Sequence, residues 1–369
     1  MKRAAAAAIS LMTGLAMLTG CSRAEVEETI QPLVADAIEE SDSEAEAVKE
    51  EDESPLIPEI DTDIKIHAGS RIAVVSKCVK GEYWKMVKKG MEDAVKEINK
   101  AYGYKKGDQI TMTFEGPDNE EDVETQINTI DAVIAENPDV LCISASDMDS
   151  CEAQLEAAKE NGIPVIAFDS NVAEKKLVKA YRGTDNVQVG KMAAYQLGSA
   201  LGKMGKVAVF SAQQKTKSVQ DRVEGFMNNI GKYGDIEVVE TIYSDQVDDM
   251  EASMKEVLEK YPTLDGVFCT NADITEMYLN LEKSDEHDAP ALVGVDATTK
   301  QQEAIRNGEE IGCVSQQPYA MGYQTIWAAV ETTAPKKSVV IEKNVLSNPA
   351  WIDADCLDDP DYSGYLYTE

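Results

Sequence analysis

From Lys65 onward the chain repeats one unit: a short β-branched run, a turn, then a stretch whose apolar residues recur every three or four positions. Arg71–Val75 is a continuous apolar run and predicts a strand. After it, Trp84, Val87, Met91, Ala94, Val95 and Ile98 fall at helical spacing. Ile110–Phe114 predicts the next strand, and Val123, Ile127, Ile130 and Ile134 the next helix, ended by Asn137-Pro138. Val140–Ser144 and Ile163–Phe168 predict strands on either side of a helix carrying Cys151, Leu155 and Ala158. The pattern then restarts. Strands are expected at Lys206–Phe210, Ile236–Tyr243, Gly266–Cys269, Ala291–Val295 and Ile311–Ser315. Helices are expected through Val189–Leu201, Val219–Ile230 and Met250–Tyr261. A helix near Tyr319–Thr332 and a strand near Val339–Val345 close the series.

Apolar strands separated by helices imply parallel sheets covered on both faces. A chain of 369 residues is long enough for two domains. The fold class read from this pattern is α/β, with two doubly wound parallel-sheet domains. In such sheets ligands bind outside the carboxyl ends of the strands, so polar residues just after strands are the ones to inspect.

The first residues supply an address. Lys2 and Arg3 precede an apolar run, Ala4–Leu18, too short to span a bilayer comfortably, which reads as an export signal. Its end, Leu18-Thr19-Gly20-Cys21, resembles the bacterial lipoprotein processing box, which implies acylation of Cys21. Several acyl chains on one residue anchor durably where one alone does not. Residues 22–63 then hold 16 acidic and two basic side chains. Such a stretch buries too little apolar surface to offset its ordering entropy, and charge repulsion extends it. It is expected to be a disordered tether between membrane and folded body.

Charge narrows the function further. The formal net charge is −33, from 35 Lys+Arg and 68 Asp+Glu, which argues against a nucleic-acid partner. Two histidines, His67 and His287, leave little room for zinc sites or His-dependent triads. No Walker loop, Rossmann GxGxxG or GxSxG occurs. The reading is a non-enzyme with no cofactor and no metal. Cys142, Cys269 and Cys313 fall inside predicted strands as buried thiols; Cys78, Cys151 and Cys356 stand available for pairing, with no connectivity readable.

Several strand ends carry candidate binding groups. Tyr83 and Trp84 open the first helix. An aromatic pair there suits the C–H face of a sugar ring, although Trp84 also fits as the helix's first core residue. Asp169 and Ser170 follow the Ile163–Phe168 strand. A carboxylate accepts two hydroxyl hydrogen bonds, as a polyol requires; a turn or N-cap Asp is the plainer alternative. Arg222 lies on the Val219–Ile230 helix. Asn271, Asp296 and Gln316 each follow a strand. Together they offer an aromatic platform, two carboxylates, a guanidinium and amides, a mixture suited to a neutral polyhydroxylated ligand.

These landmarks resemble the ribose/galactose-type periplasmic sugar-binding proteins, the receptors of ABC importers. The resemblance runs from about Lys65 to Asn344 and rests on Ile72-Ala-Val-Val-Ser76, Ile163-Pro-Val-Ile-Ala-Phe-Asp169, Gly183-Thr-Asp-Asn186 with Gly190, Asp221-Arg-Val-Glu-Gly-Phe226, Val267-Phe-Cys-Thr-Asn271, Val293-Gly-Val-Asp296 and Val314-Ser-Gln-Gln-Pro318. It implies a type I periplasmic-binding-protein-like fold, with Tyr83 and Trp84 sandwiching the sugar and Asp169, Arg222, Asn271, Asp296 and Gln316 meeting its hydroxyls. Ser170 stands where the ribose-binding pattern has Arg, which changes the hydroxyls that can be read. The resemblance further implies an N-terminal lobe of 65–183 plus 318–338 and a C-terminal lobe of 184–317 plus 339–369. Three connections, near Gly183-Thr184, Gln316-Gln317 and Lys337–Val340, would form a hinge about which the lobes close on ligand.

The expected protein is thus an extracytoplasmic lipoprotein, lipid-anchored to the cell membrane and monomeric, that passes a monosaccharide or polyol to ABC permease subunits. A receptor of the same fold feeding a sensor kinase or chemoreceptor is the alternative. The aromatic, Asp-rich segment 348–369 is read as a solvated acidic tail, since its spacing fits no calcium loop; packing back on the body, and a cation held by Asp353, Asp355, Asp358, Asp359 and Asp361, are the alternatives.

Overall fold

Two six-stranded sheets carry the architecture. The computed structural model describes residues 57–281, 289–335 and 339–368. Cys21, His287, the export signal and most of the tether lie outside the described residues. The first sheet has the order β11-β5-β4-β3-β1-β2, with β1 (Arg71–Val75), β2 (Thr111–Glu115), β3 (Val140–Ile143), β4 (Val165–Phe168), β5 (Ala180–Thr184) and β11 (Asn344–Ser347) all parallel. The second has the order β12-β10-β9-β8-β6-β7. It contains β6 (Met204–Ser211), β7 (Asp235–Tyr243), β8 (Gly266–Cys269), β9 (Ala291–Val295), β10 (Gly312–Ser315) and β12 (Ala350–Ile352). Only β12 pairs antiparallel in it.

Both sheets are covered on both faces, and alternation along a strand shows it. In β1, Ile72 and Val74 enter one core, while Ala73 and Val75 enter another. In β6, Ala208 and Phe210 face one core, and Val207 and Val209 the other. The helices α1 (Gly81–Ala101), α2 (Val123–Ala135), α3 (Glu152–Glu160) and α9 (Pro318–Glu331) flank the first sheet. The second carries α4 (Asn186–Ala200), α5 (Lys217–Ile230), α6 (Met250–Lys260), α7 (Ala272–Leu279) and α8 (Thr299–Asn307). Local chemistry starts and stops them. The Asp122 carboxylate accepts the Thr125 N–H at the head of α2, and α8 has a Thr298/Gln301 capping box and a left-handed Gly308 after its last turn.

Three short connections join the lobes: Asp185 between β5 and α4, Gln316-Gln317 between β10 and α9, and Asn348-Pro349 between β11 and β12. The third differs from expectation. Residues 339–369 were expected to belong whole to the C-terminal lobe, with a strand near Val339–Val345. Instead β11 begins at Asn344 and pairs with β5 in the first sheet. The free edge of β5 needs a hydrogen-bonding partner, and β11 supplies it before the chain crosses.

Another expectation needs adjustment. Residues 57–63 were assigned to the disordered tether, yet Ile60 and Ile64 pack against the first core. The Tyr102 hydroxyl donates to the carbonyls of Asp61 and Ile64. Tyr102 and Tyr104, stacked with centroids 5.4 Å apart, form the ledge on which this segment rests. Cys78, Cys151 and Cys356 are unpaired.

Candidate functional site

The carboxyl ends of both sheets face each other across a cavity of about 630 Å³. Its wall includes Tyr83, Trp84, Asp169, Arg222, Asn271, Asp296 and Gln316. These seven sequence-expected residues come from both lobes and from six different points along the chain. Ser170 is the exception. It is fully buried just behind the wall, where its hydroxyl bonds Lys77 Nζ at 3.2 Å and Ser218 Oγ at 2.7 Å.

Each lobe presents one carboxylate from a residue in the left-handed backbone region. Asp169 ends β4 with φ 55° and Asp296 ends β9 with φ 78°. Non-glycine residues adopt this conformation at a cost, and it persists where surroundings over-determine it. They do so here. Asp169 accepts from the Tyr83 hydroxyl at 2.7 Å, the Ser144 hydroxyl at 2.8 Å and Lys77 Nζ at 3.0 Å. Asp296 accepts from Gln316 Nε2 at 2.7 Å, the Tyr367 hydroxyl at 2.9 Å and the Ala272 N–H at 3.0 Å.

Charge in the cleft is finely arranged. Burial alone would raise the Asp169 pKa, but Lys77 beside it and the Tyr83 and Ser144 hydrogen bonds hold it below the usual carboxylate value. Burial alone would lower Lys77, but Asp169 and Glu120, the latter 3.6 Å away, leave it above the usual lysine value. Burial pushes the hydroxyls of Tyr83 and Tyr367 well above the ordinary phenol range, and the neighbouring carboxylates add to the effect. Both tyrosines therefore keep their protons and donate. Asp273, in the first turn of α7, lines the cavity; burial, then Glu120, Glu276 and Asp296, push it up to about 7.

Trp84 serves both of its expected readings. Its indole packs edge-on to Phe168 with centroids 6.4 Å apart, within the first core, and also lines the cavity. Its Nε1–H donates to Glu120 Oε1 at 2.8 Å, which fixes the ring's orientation. Arg222 donates through Nε to Asn186 Oδ1 and through Nη1 to the Thr270 carbonyl, each at 2.8 Å. Among the described residues its Nη2 has no acceptor. Asn271 caps α7 through Oδ1, leaving its Nδ2 likewise without one. Glycines set Arg222's position: a Cβ at Gly190 would lie 1.9 Å from the Arg222 carbonyl oxygen, and one at Gly225 would lie 2.2 Å from that of Val187. Only bare backbone lets α4 and α5 approach this closely.

The lobes touch around the cavity. Thr299 N–H donates to Glu82 Oε2 at 2.8 Å, Gln213 Nε2 to the Glu120 carbonyl at 2.9 Å, and the Thr216 hydroxyl to the Ser146 carbonyl at 2.6 Å. The arrangement offers donors at Arg222 and Asn271, acceptors at Asp169 and Asp296, and an aromatic wall. No group of three or more His, Cys, Asp or Glu suited to a metal ion occurs among the described residues.

Sequence reasoning missed Lys77, Asp273 and Tyr367. Lys77 was within reach, since it stands two positions after a buried strand, at the end where ligands bind. Asp273 carried a weaker signal, two residues beyond an N-cap.

A family model for the periplasmic binding protein domain matches residues 72–337. This chain belongs to the ribose/galactose-type periplasmic sugar-binding protein family. It is 25% identical over 251 residues to the ribose import binding protein of Bacillus subtilis (strain 168), covering 68% of this chain and 77% of that protein. It is 25% identical over 211 residues to a xylitol-binding protein of Mycolicibacterium smegmatis, covering 57% of this chain and 60% of that one. A solved structure of an ABC transporter solute-binding protein from Agrobacterium vitis with bound D-fucose superposes with a TM-score of 0.73 at 26% identity, over 81% of this chain and all of that one. These relatives are sugar-binding transport proteins rather than enzymes. Membership of the periplasmic binding protein family implies an extracytoplasmic location, and no described helix is long and apolar enough to cross a membrane.

Proposed function

We propose that this protein captures a monosaccharide or closely related polyol in the inter-lobe cavity and delivers it to the permease of an ABC importer, held to the membrane through a lipid on Cys21. The observation that carries the reading is the convergence of Tyr83, Trp84, Asp169, Arg222, Asn271, Asp296 and Gln316 on one cavity. An unpartnered guanidinium nitrogen and amide nitrogen donate to ring hydroxyls; fixed carboxylates accept from them; the indole covers an apolar ring face. Every polar group is pre-oriented by a protein partner, so little ordering is left for the ligand to impose. Relatives that bind ribose, xylitol and D-fucose favour a pentose, a deoxyhexose or an open-chain polyol as ligand class.

The test is a thermal-shift screen over pentoses, hexoses, deoxyhexoses, inositols and linear polyols, followed by calorimetry on the best responder. A ligand that binds the folded state alone raises Tm in a dose-dependent way. A flat response across the panel at millimolar concentration would remove the reading. Loss of membrane fractionation in Cys21→Ser, with the body still folded, would support the anchor.

A further inference from the structure

The sequence of the segment after β12 predicts a solvated acidic tail, with packing back on the body among the alternatives. Its acidic side chains are outside: Asp355, Asp358, Asp359 and Asp361 are exposed. Its backbone nevertheless docks. The Ser315 hydroxyl donates to the Tyr365 carbonyl, Tyr367 N–H donates to the Ala297 carbonyl at 3.0 Å, and Gln302 Nε2 donates to the Tyr367 carbonyl at 2.8 Å. These bonds all go to the second lobe. The Tyr367 side chain goes elsewhere. It is 1% exposed, belongs to the first lobe's core, and sits 5.9 Å from the Tyr83 ring at an interplanar angle of 55°. Its hydroxyl returns to Asp296.

We propose that Tyr367 is a positioning residue of the binding cleft: it holds Asp296 in its accepting orientation and, ring against ring with Tyr83, ties that carboxylate to Asp169 of the opposite lobe. The proposal rests on the reading that Asp296 and Asp169 meet the ligand. The two carboxylates are held in the same manner. Tyr83 donates to Asp169, Tyr367 donates to Asp296, and the rings touch between them. A residue 71 positions away in sequence thus takes up one of the two oxygens of Asp296, the same oxygen that Gln316 holds. With φ at 78°, Asp296 is in a conformation that the backbone does not itself favour. Removing the Tyr367 hydroxyl leaves Gln316 alone on that oxygen, so the carboxylate is held less firmly and the Ala272 N–H that donates to the other oxygen has a less fixed acceptor.

That amide is the reporter. In the full-length protein without ligand, hydrogen exchange at the Ala272 amide is measured by NMR for wild type, Tyr367→Phe and Tyr367→Ala. Tyr367→Phe keeps the ring and loses only the hydroxyl. It is expected to speed exchange at Ala272 by about fivefold or more, while amides in α1 and Tm stay at wild-type values. Tyr367→Ala is expected to speed exchange at Ala272 and at Thr299, the amide that donates across the cleft to Glu82. Unchanged Ala272 exchange in Tyr367→Phe overturns the proposal and leaves the residue a packing element. So does an equal rise across α1 in that variant, which would report general loosening. Because no ligand is present, this result is independent of the sugar screen: failure of the screen removes the ligand reading, and failure of the exchange experiment removes the positioning role.

Discussion

Lys77 Nζ stands 3.0 Å from Asp169 Oδ2, with both side chains at most 5% exposed. A buried ion pair gains from mutual attraction and loses from desolvation of both partners, and the balance depends on further hydrogen bonds. Tyr83, Ser144 and Ser170 provide those bonds. Deleting one partner strands the other. Lys77→Met is therefore expected to destabilise the protein by about 3 kcal/mol, seen as a lower urea midpoint. An unchanged midpoint would show that the tyrosine and serine donors alone suffice for Asp169.

The same pair sets a pH window. Asp169 is shifted down from 3.8, so its contribution is present above that value and is lost as pH falls through the still lower folded pKa. Lys77 is shifted up from 10.5, so its contribution is present below that value and is lost as pH rises through the folded pKa. Between them the pair leaves stability flat. In Lys77→Met the charge that offsets burial of Asp169 is gone, so burial raises that carboxyl and the deficit relative to wild type, followed by melting curves, should grow as pH rises from about 5 to 9. A deficit that shrinks over that range would contradict the assigned charges.

Asp273 works in the opposite sense. Its pKa is raised from 3.8 to about 7, so the folded state binds the extra proton and this group costs stability as pH climbs through that interval. Asp273→Asn should raise Tm at pH 8, with the gain shrinking towards pH 5. A gain of equal size at both pH values, or a loss at pH 8, would rule out the crowding by Glu120, Glu276 and Asp296.

Binding should depend on the cleft and not on charge in general. Trp84→Ala and Asp169→Ala are each expected to weaken sugar affinity at least ~tenfold, about 1.4 kcal/mol, by calorimetry on folded protein. Arg222→Ala should cost more than Lys206→Ala, since Lys206 lies on β6 away from the cavity. Wild-type affinity in both Trp84→Ala and Asp169→Ala would place the ligand elsewhere.

Close helix approach makes Gly190 a sensitive point. Gly190→Ala puts a methyl against the Arg222 carbonyl, where neither backbone yields easily. Overpacking of this kind typically costs 1–3 kcal/mol, and here it also displaces Arg222. Denaturation and sugar affinity should fall together; a stability loss with intact affinity would mean that α5 shifts without moving its guanidinium.

Periodicity was enough to read most of the strands, because continuous apolar runs such as Val140–Ile143 and Val165–Phe168 are buried on both faces. It failed at β5, Ala180-Tyr-Arg-Gly-Thr184, whose pattern is broken by Arg182. That guanidinium is 4% exposed and donates to the carbonyls of Tyr181 and Glu342, a tertiary solution that local sequence does not announce. The cleft was legible wherever a polar residue follows a strand within one or two positions, as with Asp169, Asn271, Asp296 and Gln316. Ser170 shows the limit of that rule: successive residues at a strand end point in different directions, and only one faces the cavity. Tyr367 had no local signal, since its partner Asp296 is set by where the chain returns and not by spacing.

The passage from β11 to β12 has one more implication. Two residues, Asn348 and Pro349, carry the chain from the edge of one sheet to the edge of the other. So short a link spans only about 10 Å fully extended, and proline stiffens it. The sheet margins cannot drift apart there, so any opening of the two lobes would have to turn about that side, as the covers of a book turn on its spine.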